Sequence, residues 1–135
     1  MGFELEFQKK ENYSSLETGI SVETILRYRD IKINCVAEVD TGAEVCLFQR
    51  TFADALEIDV ETGYRQKFST LGGGIIAYAH ELQIETLGLR LQSYIYFAES
   101  YEIKRNLLGR KGWLQLVILG LNDYKSELYL SPNQE

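Results

Sequence analysis

Residues 37–48 of this chain read AEVDTGAEVCLF, an acidic turn between two apolar segments. Asp40 ends the first segment, and Thr41 and Gly42 follow it directly. Gly42 allows a tight bend that leaves backbone N–H groups free to face the carboxylate, and the Thr41 hydroxyl can bond to neighbouring backbone. Such a turn would hold a carboxylate ready to activate a water molecule. Because Asp, Thr and Gly are also ordinary turn residues, these residues alone favour a simple surface turn.

Length and composition are typical of one globular domain. The chain has 135 residues, of which 45% are apolar and 25% are charged. We therefore predict a single domain over residues 1–135, with residues 1–15 as an N-terminal extension or edge strand. Residues 3–7 alternate apolar and acidic side chains and could also form a dimer contact or a frayed terminus. We expect a cytoplasmic protein without membrane contact, because no signal-peptide pattern or membrane-length apolar run is present.

Charge and cysteine content exclude several classes of site. The net charge of −6 argues against nucleic acid as a partner, since phosphate binding needs clustered Lys and Arg. Cys35 and Cys46 lie in apolar strand patterns, which indicates buried, reduced thiols. The single histidine, His80, and the absence of metal-ligand spacing predict no metal and no cofactor.

The hydrophobic pattern is mostly of period two. Residues 31–39 alternate over nine positions, which predicts a half-buried strand, and residues 20–26 read as its hairpin partner. Residues 67–84 read as two strands around a glycine run, whereas 50–58 and 110–115 read as short helices. The pattern alone therefore predicts one domain that is all-β or α+β, with many short strands suggesting a barrel.

A second motif lies far downstream, where residues 106–114 read NLLGRKGWL. Together with the acidic turn, this motif resembles the retropepsin family of aspartic proteases. In that family the sequence Asp-Thr-Gly-Ala follows a strand. A later motif, made of two apolar residues followed by Gly and Arg, begins a short helix. The family's glycine-bearing flap corresponds to residues 71–76, LGGGII. The resemblance spans residues 20–130 and is closest to the single-domain bacterial type. It implies an all-β monomer with a closed barrel, a flap hairpin and one or two short helices.

The resemblance also implies an aspartic endopeptidase that hydrolyses peptide bonds of a peptide or protein substrate. The chain contains one Asp-Thr-Gly, so a two-lobed enzyme within one chain is excluded. The second carboxylate would be Asp40 of another subunit in a homodimer. Two carboxylates at such a short distance share one proton. One of them can then accept a proton from water while the other donates its proton on the carbonyl side of the substrate.

Individual roles follow from the same resemblance. Thr41 would bond across the dimer, Gly42 would offer its carbonyl to substrate, and Glu44 would pair with Arg110. The glycine run is denser than in the usual flap, which leaves the flap length open. The implied site residues are catalytic Asp40, Thr41 and Gly42, substrate-binding Ala43, Gly72, Gly73, Gly74 and Ile75, and supporting Glu44, Leu107, Leu108, Gly109 and Arg110.

Three other interpretations can be weighed. A retropepsin-like fold could serve as a non-catalytic dimerisation or peptide-binding module, since fold does not imply function. The glycine run at residues 72–74 lacks the Lys-Ser or Lys-Thr of a phosphate loop. The turn at Asp40 lacks the alternating carboxylates of a calcium loop. The substrate sequence is not indicated.

Overall fold

The computed structural model describes residues 1–133, and within them the chain is mostly β. The strands are β1 (Lys9–Asn12), β2 (Ser21–Tyr28), β3 (Ile31–Val39), β4 (Leu47–Phe48), β5 (Tyr64–Thr70), β6 (Gly73–Thr86), β7 (Leu89–Ala98), β8 (Leu107–Leu108), β9 (Val117–Asn122) and β10 (Glu127–Pro132). One α-helix, α1 (Arg50–Ala55), and 3-10 helices at Val60–Thr62, Leu114–Leu116 and Asp123–Lys125 complete the elements. The predicted all-β class is confirmed.

The hairpin that leads to the acidic turn is formed by β2 and β3. The two strands pair antiparallel from Ser21 opposite Glu38 to Tyr28 opposite Ile31. Alternate side chains such as Val22, Leu26 and Ala37 are buried, as the period-two pattern predicted. The hydrophobic alternation therefore determines which face of β3 packs into the core. It thereby also determines where Asp40 lies at the end of the strand.

Strand β8 lies between β3 and β4, although it is distant from both in sequence. The larger sheet has the order β2-β3-β8-β4-β7-β6-β5, and β2 also pairs with β6. Strand β8 runs parallel to β3, with Val39 opposite Leu108, and antiparallel to β4, with Leu47 opposite Leu107. These pairings form a ring of six strands, to which β5 adds an outer strand.

Two further hairpins extend this sheet. Strands β5 and β6 are joined by residues 71–72, and Thr70 faces Gly73 across the end of the ladder. The hairpin expected around the glycine run is present, with Gly73 and Gly74 inside β6. Strands β6 and β7 are joined by Leu87 and Gly88, both with positive φ, which suits a tight two-residue hairpin loop.

A smaller, three-stranded sheet has the order β1-β10-β9. Its N-terminal strand is Lys9–Asn12, and residues 3–7 lie outside any strand. The Phe7 ring packs 5.6 Å from the ring of Tyr129, whereas Phe3 and Leu5 are exposed. The alternation at residues 3–7 therefore does not form a strand in the monomer.

One large core lies beneath the acidic turn. Phe48, Phe97 and Trp113 are fully buried within it, and each such side chain contributes about 1.5–3 kcal/mol by leaving water. The Trp113 Nε1 donates to Thr86 Oγ1 at 3.0 Å, so the polar edge of the indole is satisfied. Leu108 of β8 belongs to the same core, which ties the second motif to the centre of the molecule.

Both expected helices need correction. The helix predicted at residues 50–58 ends at Ala55, because Glu57 takes a left-handed conformation with φ 59°. The helix predicted at 110–115 is wrong, since only Leu114–Leu116 forms a 3-10 turn. The residues before this turn form irregular turns, in which Lys111 pairs with Val45 of the acidic loop and Gly112 has φ 100°. Tertiary pairing therefore overrides the local helical pattern.

Within residues 1–133, no helix is long and apolar enough to cross a membrane.

Candidate active site

The acidic turn begins at the end of β3, where backbone hydrogen bonds hold Asp40 from both sides. The Asp40 N–H donates to Leu108 O at 3.0 Å, and the Ala43 N–H donates to Asp40 O at 3.1 Å. The Gly42 N–H donates to Asp40 Oδ1 at 3.0 Å, a side-chain turn that Asp forms readily. Thr41 and Gly42 are exposed, and Asp40 is half-exposed. The carboxylate is thus fixed by backbone contacts while it remains accessible.

The second motif packs against this turn and forms main-chain hydrogen bonds with it. Leu108 is fully buried beside β3, and Leu107 is half-buried. The Arg110 N–H donates to Ala43 O, and the Lys111 N–H donates to Glu44 O, both at 2.9 Å. The structure therefore brings the two sequence motifs together through main-chain contacts.

Gly109 occupies a position where no side chain fits. A Cβ built on it would lie 2.1 Å from Val45 O and 2.9 Å from Ala43 O. Its N–H approaches the sulfur of Cys46 at 3.4 Å. The residue therefore has to be Gly for the chain after β8 to pass this close to the acidic loop.

The predicted pair between Glu44 and Arg110 is not formed in the structure. Glu44 instead lies 4.0 Å from Lys111 Nζ, and both side chains are more than half exposed. In the described part of the chain, Arg110 has no ion-pair partner within 4.0 Å. The backbone register explains the difference, since Lys111 is the residue whose main chain pairs with Glu44.

Arg105 supplies a positive charge near Asp40. Its Nε donates to Glu38 Oε2 at 2.9 Å, and its Nη2 donates to the same oxygen. These bonds raise the pKa of Arg105, and the nearby charge of Asp40 raises it further. Sequence reasoning did not select Glu38 or Arg105, although Glu38 lies two residues before Asp40, on the same side of an alternating strand.

Asn106 is a second residue that sequence reasoning missed. Its side chain is 4% exposed and spans two segments. Nδ2 donates to Val36 O, and Oδ1 accepts from the Gln49 N–H, both at 2.9 Å. The one signal in the sequence is a polar residue directly before the apolar pair of the second motif.

The glycine hairpin lies apart from this network of hydrogen bonds. Gly72, Gly73 and Gly74 are exposed, and a Cβ on Gly72 or Gly73 would meet no atom within 4 Å. Ile75 is half-buried and packs on a small cluster that includes Leu47 and Ala77. The structure shows an open hairpin tip above a packed base, and contact of these residues with a substrate stays a prediction.

The cysteines do not provide an alternative catalytic group. Both are free and buried, as predicted. Burial raises the pKa of Cys35 and of Cys46 to about 12, so both thiols stay protonated and unreactive at neutral pH. Within residues 1–133, no cluster of His, Cys, Asp and Glu could hold a metal ion.

A cavity of about 290 Å³ lies next to the acidic loop. Glu44 and Val45 line one side and Gln66 of β5 lines another. The rest of the lining comes from β7 and from the segment after the second motif's Arg110: Gln92, Ser93, Tyr94, Tyr96, Lys111, Gly112, Gln115 and Leu116. The cavity therefore runs from the loop that follows Asp40 to the base of the glycine hairpin. A larger cavity of about 560 Å³ is lined by Glu11, Glu23, Glu85 and neighbouring residues, none of which belongs to the acidic turn.

Comparison with known proteins agrees with this geometry. The family model described as aspartyl protease matches residues 28–111, which contain the acidic turn and the second motif. The chain belongs to the retropepsin-like aspartic protease family. Its fold matches that of the EIAV protease in complex with the inhibitor HBY-793, with a TM-score of 0.53 and 19% identity over 72% of this chain and 86% of that one. A search of curated protein sequences found no match.

Proposed function

We propose that this aspartic protease family member is an active endopeptidase that works as a homodimer. The observation that supports the proposal is the fixed yet accessible carboxylate of Asp40, which accepts from the Gly42 N–H while the Asp40 backbone N–H donates to the Leu108 carbonyl. Asn forms the same side-chain turn as Asp, so a turn that served only to reverse the chain would not need an ionisable carboxylate at this position. The intact Asp-Thr-Gly sequence therefore favours catalysis over a purely structural role.

The second carboxylate has to come from a partner chain. One Asp-Thr-Gly is present per chain, and a two-fold axis beside Asp40 would place each carboxylate next to its own copy. One carboxylate accepts a proton from water as the water oxygen bonds to the substrate carbonyl carbon, and the other gives its proton to the carbonyl oxygen. Collapse of this tetrahedral species breaks the C–N bond: the nitrogen leaves with the proton that the first carboxylate took from water, and a hydroxyl of the tetrahedral species returns a proton to the second carboxylate.

The substrate would lie extended between the acidic turns and the glycine hairpins. The Gly42 carbonyl and the Ala43 backbone would bind the substrate main chain, and Thr41 would bond across the dimer. Gly72, Gly73, Gly74 and Ile75 would form a lid that closes over the peptide and excludes water. The exposed, unpacked hairpin tip supports this role.

Removal of one charge tests the catalytic assignment. The Asp40→Asn variant keeps the side-chain shape and removes the acid, so cleavage of a broad peptide library should fall to background. Asp30→Asn is the matched control, because Asp30 is an exposed acid in the loop at the other end of β3. Equal cleavage by Asp40→Asn and wild type would refute the assignment. A folded wild-type dimer that cleaves nothing from pH 4 to 8 would support the non-catalytic peptide-binding module instead.

Dilution tests the homodimer. Specific activity should fall with protein concentration and follow the dimer fraction measured by analytical ultracentrifugation. Mixing wild type with Asp40→Asn gives a sharper test. Heterodimers of the two have one ionisable acid at the active site and should be inactive. A monomer that keeps full activity at every concentration would contradict the proposal.

A further inference from the structure

The side chain of Asn106 takes the place of a strand residue in the large sheet. Strand β8 is only two residues long, and Asn106 precedes it directly. Its Nδ2 donates to Val36 O on β3, and its Oδ1 accepts from the Gln49 N–H just beyond β4. A carboxamide has the same donor and acceptor as a peptide group. The Asn106 side chain therefore adds one sheet-like hydrogen bond beyond β8 on each side, one to β3 and one to the residue that follows β4.

The hydrogen bond to β3 belongs to a series of bonds that ends at Asp40. On β3, Val36 O accepts from the Asn106 side chain, the Glu38 N–H donates to Asn106 O at 2.8 Å, and the Asp40 N–H donates to Leu108 O at 3.0 Å. The three bonds fall on alternate residues of one strand. Two of the three are made by Asn106, and its side chain makes the one furthest from the turn.

We propose that Asn106 is a positioning residue, which holds β3 in register with β8 so that Asp40 keeps its catalytic orientation. The proposal rests on the endopeptidase function proposed above. Asn106 is 4% exposed, and loss of its amide would remove the partners that Val36 O and the Gln49 N–H have in part-buried hydrogen bonds. Strand β3 would then shift to recover a partner, and the shift would reach Asp40 through the remaining bonds.

Kinetics of two variants test the role. Asn106→Asp keeps the shape and the acceptor but removes the donor to Val36, and the shorter Asn106→Ser serves if the first folds poorly. Because small errors in placement cost about 10²-fold in rate, we expect kcat to fall about 10- to 100-fold while KM changes little. The remote control is Thr86→Val, which also removes a buried side-chain hydrogen bond, from Trp113. It should lower the melting temperature without lowering kcat of the folded enzyme.

Hydrogen exchange gives a second readout that does not depend on catalysis. Amides of residues 36–43 should exchange faster in the Asn106 variants and remain protected in Thr86→Val. Unchanged kcat, a loss of kcat equal to that of Thr86→Val, or unchanged exchange in this segment would overturn the role of Asn106. Failure of the endopeptidase function would show itself separately, as a wild type without cleavage, and the exchange comparison would then still decide whether Asn106 holds β3.

Discussion

Two turns in this molecule are built in opposite ways. The acidic turn at residues 40–43 is held by partners from distant parts of the chain, including Leu108 and Arg110. The hairpin tip at residues 71–74 is held by its own neighbours, through the pairing of Thr70 with Gly73 and a bond from the Thr70 hydroxyl. Leu71 at this tip is fully exposed. Anchoring by distant contacts suits a group that must stay still, whereas local anchoring leaves a segment free to move.

Adding one methyl group to each region should give the largest difference. Gly109→Ala places a Cβ 2.1 Å from Val45 O, and such overpacking should lower the free energy of unfolding by about 3 kcal/mol. Gly72→Ala meets no atom within 4 Å and lacks a positive φ, so it should be neutral or stabilise by up to about 1 kcal/mol. Urea unfolding measures both. Similar losses would show that the hairpin tip is packed as tightly as the acidic turn.

A bulkier residue at the hairpin tip should separate turnover from stability. Gly72→Val stiffens the tip, and its Cβ meets no atom within 4 Å, so peptide turnover should fall severalfold while the melting temperature changes little. Gly72 is a better choice than Gly73, whose φ of 123° would strain any other residue. Steady-state kinetics and thermal unfolding of the same preparation measure the two effects. Parallel loss of both would indicate a structural turn in place of a lid.

The buried thiols should make the anchored region sensitive to alkali. Burial raises the pKa of Cys35 and Cys46 from the ordinary 9.0 to about 12. Above pH 9 the unfolded thiols lose protons that the folded thiols keep, so stability falls as pH rises from 9 toward 12. Between pH 9 and 10 the loss should reach about 1 kcal/mol for each thiol. Urea unfolding at both pH values measures it.

The matched control for this effect is the Cys35→Ala, Cys46→Ala double variant. This variant retains the Tyr and Lys groups that titrate in the same pH range. The wild type and the variant therefore differ only by the thiols in how their free energy of unfolding changes with pH. The double variant should lose less stability between pH 9 and 10 than the wild type. Equal changes in stability would mean that the two thiols are not shielded from water.

The ion pairs around the acidic turn should give the smallest effects. Double-mutant cycles should find a coupling of about 0.2–1 kcal/mol for Glu38 with Arg105 and close to zero for the exposed Glu44 with Lys111. A cycle of Glu44→Gln with Arg110→Lys should be additive, because these side chains form no pair. Coupling of Glu44 with Arg110 in the dimer but not in the monomer would show that association creates that contact.

The sequence predicted the elements whose signals are local. Alternation over residues 31–39 and 20–26 predicted the β2–β3 hairpin, and the glycine run predicted the β5–β6 hairpin. The helix at residues 110–115 was predicted wrongly, because Lys111 pairs with Val45 and Gly112 takes a positive φ, which together break the helical backbone. A pairing between residues so far apart in the chain leaves no trace in a local hydrophobic pattern.

The sequence by itself determined that Asp40 follows a strand and enters a turn, since Asp, Thr and Gly limit the backbone there. Period-two alternation limited the class to all-β or α+β, and the resemblance to the retropepsin family selected all-β. Only the tertiary structure decided what holds the turn. Strand β8 inserts between β3 and β4, Gly109 passes close to Val45, and the Asn106 side chain forms an additional hydrogen bond to β3. The reason is physical, since each of these contacts joins residues that only the folded chain brings within hydrogen-bond or van der Waals distance.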